Sequence, residues 1–153
     1  FDAAELYVGL WLTVLLSLSL ANLFVPLPSW AVIAVGVVGL YRTLDIGTFV
    51  FSMMLSTRHT SLVGLSRSLI LMLTNLIEIS LAAGLMLTMA GIKSSTAFLA
   101  GLSLFGTWGF STESWTLATY SMFFISGVTF FITGVLAIAI VINKIGDRFS
   151  SRR

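Results

Sequence analysis

Four long apolar runs and one short one, separated by polar or proline-bearing breaks, organise the chain. The first extends from about Ala4 to Val25, where Pro26-Leu27-Pro28 closes it. The second starts at Ser29, stays apolar to Leu40, then admits Arg42 and Asp45 before a further apolar stretch through Leu55. A polar loop follows, Ser56-Thr57-Arg58-His59-Thr60-Ser61. The third run covers about Ser66 to Ala90 and the fourth about Ser114 to Asn143, with the short run, about Ser95 to Gly106, between them. A helix of about 20 apolar residues matches a hydrocarbon core ~30 Å thick, so the long runs predict transmembrane helices and the short one a half-span. The second is too long for a straight crossing, and its latter part is expected to tilt, bend or emerge along the inner surface. The predicted fold class is all-α: a polytopic membrane protein with four transmembrane helices and a re-entrant helix and loop between spans three and four.

Composition supports the membrane class. Of 153 residues, 58% are hydrophobic and 9% charged, against about 25% charged in soluble domains. Mean hydropathy is +1.06. The chain has no cysteine, which excludes disulfides, thiolate metal sites and cysteine nucleophiles. It begins with Phe1 rather than Met, as expected if a segment upstream is trimmed or cleaved. No basic stripe interleaved with aromatics points to nucleic acid.

The net charge of +2 matters less than its placement. Arg58 and Arg67 lie between spans two and three, with Arg42 near, and Lys144, Arg148, Arg152 and Arg153 lie at the end; Lys93 alone falls on the other side. Lys and Arg mark the cytoplasmic side. Both termini are thus expected in the cytoplasm of a plasma or inner membrane, with the half-span entering from outside. Trp30 and Trp115 then sit at the outer interface. The chain divides into a two-helix N-terminal membrane region (1–62), a module of outer helix, half-span and final span (63–146) and a basic tail (147–153) that anchors to anionic lipid.

A half-span followed by Thr107-Trp108-Gly109-Phe110-Ser111 and then a full span places irregular backbone at membrane depth. Such backbone is tolerated only where it is buried in protein or lines a watery path. Gly-aromatic-Ser also occurs in ordinary turns, so the position of this stretch, more than its composition, carries the reading. Carbonyls directed at a common axis can replace a cation's hydration shell. One chain has too few helices to enclose such an axis, which implies a homo-oligomer.

These residues occupy the place of the potassium-channel signature, commonly TxTTVGYG, and the module from about Arg67 to Gly146 resembles the two-helix pore module of the potassium channel superfamily. The resemblance implies a pore helix over Ala97-Phe98-Leu99-Ala100-Gly101-Leu102-Ser103 and an ion filter of Thr107, Trp108, Gly109, Phe110 and Ser111. It implies Glu113 at the outer mouth, displaced by two positions, and a tetramer passing a monovalent cation, K+ in the resembled family. No cofactor or resident metal is expected. Serine at 111 replaces glycine, at a cost of order 1 kcal/mol if a left-handed conformation is needed, and Trp108 replaces valine. Both departures point to a filter that is wider, less selective or shut. A non-selective pore and a non-conducting scaffold, auxiliary subunit or depolarising effector are the alternatives.

Other polar and small residues have two readings each. Gly127 and Gly134 lie seven residues apart on nearly one face of the last span; a gating hinge competes with close helix packing, packing being favoured for Gly134. Asn75 and Glu78, one turn apart at mid-span, are expected to face protein or water. Glu78 serves either as a hydrogen-bond anchor to the pore helix or span two, or as a protonatable switch. Arg42 and Asp45, at i and i+3, are expected to pair on one face. A lone arginine makes no voltage sensor, and His59 is a solvated loop residue. No nucleophile elbow, HExxH or phosphate loop appears, so no enzyme is expected.

Overall fold

The computed structural model describes residues 3–55, 62–106 and 116–150. Among them are five helices: α1 (Ala3–Phe24), α2 (Ser29–Leu55), α3 (Leu62–Met89), α4 (Ser94–Gly106) and α5 (Leu117–Ser150). Four of these (α1, α2, α3 and α5) are long and apolar enough to cross a membrane, and α4 is a shorter apolar helix. α2 runs unbroken for 27 residues through Arg42 and Asp45. α5 starts three residues later than its apolar run and continues beyond it to Ser150, with Asp147 and Arg148 on the helix.

α3 is the central element. In its most apolar stretch 67% of positions are buried, against 17%, 33% and 22% in α1, α2 and α5. α1 runs parallel to α3: Glu5 pairs with Arg67 at 2.9 Å at one end, and Asn22 Nδ2 donates to Thr88 Oγ1 at 3.0 Å near the other. α2 runs antiparallel to both. It approaches α3 so closely that a Cβ on Gly39 would lie 2.8 Å from the Ala82 carbonyl oxygen, and one on Gly36 2.3 Å from Met89 Cβ. Leu15, Val35, Leu81, Ala82 and Leu85 form the core where α1, α2 and α3 meet.

The turn after α3 reverses the chain by a Schellman closure. Ile92 N donates to Leu87 O at 3.1 Å and Gly91 N to Thr88 O at 3.0 Å. Gly91 has φ +94°, in the left-handed region open to glycine. Ile92 is buried against Leu87, the apolar contact that accompanies this closure. α4 then returns antiparallel along α3. A Cβ on Gly101 would sit 2.4 Å from Ser80 O and 2.8 Å from Gly84 N, so the two backbones touch here. Leu104 packs with Ile79 and Ala83 of α3 and Ile46 and Val50 of α2. Ile79 is the midpoint of the apolar stretch of α3, Leu69–Met89, and α4 therefore ends level with the middle of that stretch. Its 13 residues make about 20 Å at 1.5 Å each, short of a ~30 Å core.

Thr116 caps α5: Thr119 N donates to Thr116 Oγ1 at 3.3 Å. Phe123 packs with Leu87, Ile92 and Ala97, while Ala137 and Ile140 reach Met72 near the opposite end of α3. α5 is thus antiparallel to α3 and runs in the same direction as α4.

Candidate functional site

Two polar features sit at membrane depth, and the helices hold them at the same level. One is the end of α4, the other a buried charged cluster between α1, α2 and α3.

α4 is placed by glycine and alanine. Ala97 and Ala100 are fully buried, and Gly101 lets the helix rest directly on Gly84. Leu104 reaches toward Gly127 of α5, whose added Cβ would lie 3.9 Å from Leu104 Cδ2, and Phe105 meets Phe130 edge-on with centroids 5.2 Å apart. The last carbonyls of α4 have no intrahelical partner and carry partial negative charge, and no basic residue lies in the last turn. Thr107, Trp108, Gly109, Phe110, Ser111 and Glu113 lie outside the described residues. A Cβ on Gly134 would meet nothing within 4 Å. Among the described residues no neighbour packs against Gly134.

α5 has two contrasting faces. Thr119, Ser126 and Thr133, at seven-residue spacing, are fully buried toward the chain's own helices; Ser126 and Thr133 hydrogen-bond carbonyls one turn back. Leu117, Phe124, Phe131 and Ile138 repeat at the same spacing on the outward face, from 61% to 84% exposed. Val128, Val135 and Ile142 extend this outward stripe.

The charged cluster centres on Arg42, whose side chain is 3% exposed, and Glu78, which is fully buried. Arg42 Nε donates to Glu78 Oε2 at 2.6 Å and its Nη2 lies 2.5 Å from the same oxygen. Nη1 pairs with Asp45 Oδ2, and Nη2 lies 3.5 Å from Asn75 Oδ1. Tyr7 Oη donates to Asp45 Oδ2 at 3.0 Å. The guanidinium carbon stands 5.1 Å from the Tyr7 ring centre and 5.6 Å from that of Trp11, within cation–π range. Arg42, Asp45, Asn75 and Glu78 were each legible as polar residues in spans. The Arg42–Asp45 pair and an anchor from Glu78 to span two were among the expectations and are found; that Arg42 is the partner of Glu78 was not legible, and Tyr7 and Trp11 carried no signal. One signal was available: a lone arginine in one span and a lone glutamate in another each need a partner.

Comparison of the chain with protein-family models, curated proteins and solved structures returns no match.

Proposed function

We propose that this chain is the subunit of a potassium-channel-like cation channel, in which four copies surround a central pore and ions flow passively. The observation that carries the reading is the end of α4 at mid-depth, beside an α5 that runs in the same direction from the same side. In this reading the segment that joins these two parallel helices is a re-entrant loop. The C-terminal end of α4, with its partial negative charge directed to mid-membrane, favours a cation. The outward stripe of α5 is available to neighbouring copies. In this reading carbonyls of Thr107 to Phe110 replace hydration water, Ser111 and Glu113 lie toward the outer mouth, and Gly127 is the hinge candidate. Both termini lie on the cytoplasmic side, as the Lys and Arg placement supports. No catalytic chemistry is assigned.

Reconstitution into liposomes under opposed potassium and sodium gradients tests the proposal. A reversal potential near that of potassium is expected, moving closer to it in Ser111→Gly. A value near zero in both proteins reassigns the chain as a non-selective pore. Absence of current from a verified tetramer reassigns it as a non-conducting subunit, and a monomer or dimer refutes the pore.

A further inference from the structure

A crevice between α1, α2 and α3 presents one acceptor and one donor that no described residue uses. Its volume is about 160 Å³, close to the ~150 Å³ that accommodates a benzene-sized molecule. Asp45 lines it with a side chain that is 31% exposed. Tyr7 Oη and Arg42 Nη1 both donate to Asp45 Oδ2, and Oδ1 accepts nothing among the described residues. Asn75 lines the same crevice and is almost wholly buried. Its Oδ1 lies 3.5 Å from Arg42 Nη2, while its Nδ2 has no acceptor among the described residues. One guanidinium touches both side chains, so the open acceptor and the open donor share a small space.

The polar and apolar linings are ordered by depth. α2 is antiparallel to α3, so Phe49 and Leu71 lie toward the Glu5–Arg67 end, and Asp45 and Asn75 lie about one helical turn deeper. A membrane lipid, whose head stays at the interface, runs against this order. A compact molecule with a polar group at one end of an apolar body matches it. Such a molecule reaches the crevice from the bilayer past the exposed rings of Tyr7 and Phe49.

The two open groups select the chemistry. A hydroxyl donates once and accepts through the same oxygen, which satisfies Asp45 Oδ1 and Asn75 Nδ2 together. An ammonium only donates, an ionised carboxylate only accepts, and an anion would also face the Asp45 carboxylate. The Phe49 ring in the wall suits an aromatic body.

We propose that this crevice binds a phenol. Its O–H donates to Asp45 Oδ1, its oxygen accepts from Asn75 Nδ2, and its ring lies against Phe49, Leu71 and Ile46. The site is separate from the pore reading and stands whether or not the protein conducts.

Purified protein in a neutral detergent is titrated with para-fluorophenol, para-fluoroanisole and fluorobenzene. Saturable binding is read from fluorine NMR line widths against protein-free micelles. The anisole keeps the ring and the oxygen and lacks the donor; fluorobenzene lacks both polar functions and controls for the bulk of the added methyl. The phenol is expected to bind about tenfold or more tightly than either, as a hydrogen bond to a charged acceptor supplies. Asp45→Leu should remove that preference. Leu71→Trp, which fills the crevice and leaves both polar groups in place, should abolish saturable phenol binding in a protein whose thermal unfolding is retained. Either substitution suffices, so the test survives the misfolding of one variant. Equal binding of the three ligands to the wild-type protein overturns the proposal. So does the absence of saturable binding, which leaves the crevice to water, or a phenol preference that survives either substitution in a folded protein.

Discussion

Arg42→Met offers the sharpest test of how the helices are held together. The arginine is almost wholly buried and reaches Glu78 through two nitrogens, at 2.6 and 2.5 Å, while pairing with Asp45. Its removal leaves a fully buried carboxylate without a cation, and breaking a buried pair in this way costs about 3–5 kcal/mol. The cost comes mostly from the stranded Glu78 and not from lost attraction. Arg42→Met combined with Glu78→Met should therefore be less damaging than Arg42→Met alone. It retains chiefly the loss of cation–π contact with Tyr7 and Trp11, about 1–2 kcal/mol. The double variant is thus expected to lie about 2–3 kcal/mol above Arg42→Met alone in stability, and the coupling is that difference plus the cost of Glu78→Met by itself. Reversible unfolding in mixed micelles, followed by circular dichroism across the four proteins of the cycle, measures it. A cost below ~1 kcal/mol for Arg42→Met, or additivity within ~0.5 kcal/mol, would refute the view that this pair joins α2 to α3.

Three further substitutions probe the placement of the half-span and the faces of α5. Gly101→Ala should destabilise by about 1–3 kcal/mol through overpacking, because its Cβ would lie 2.4 Å from the Ser80 carbonyl oxygen; unchanged thermal unfolding would contradict the α3–α4 contact. Gly91→Ala should cost about 1–2 kcal/mol from its left-handed conformation alone, since nothing lies within 4 Å of the added Cβ, and a thermal melt shows this as a lower midpoint. Gly134→Ala should be neutral or stabilise the isolated subunit by up to about 1 kcal/mol through helix propensity, as its Cβ also meets nothing. Loss of assembly on cross-linking, with subunit stability intact, would place Gly134 against a neighbouring copy.

The membrane class and the existence of all five helices follow from local information. A run of apolar residues of sufficient length has one stable solution in lipid, with every backbone group bonded within its own helix. The short α4 was readable for the same reason, since Ser94–Gly106 is apolar throughout but too short to cross. Helix ends were less legible. α5 runs on to Ser150 because hydrophobicity marks where a helix leaves lipid and not where it stops.

What the sequence determined alone was the number of spans, the half-length of α4 and the presence of isolated charges at depth. The tertiary structure decided which helix is central, where α4 rests and what each charge meets. In lipid an apolar side chain gains little by choosing protein over acyl chains, and hydrophobic pattern therefore cannot select helix neighbours. The selection falls to close contacts and polar partners, which are long-range: Gly101 on Ser80 and Gly84, Gly39 on Ala82, Asn22 with Thr88 and Arg42 with Glu78. None of these pairings is written in the spacing along one helix. Each exists only once α3 is surrounded.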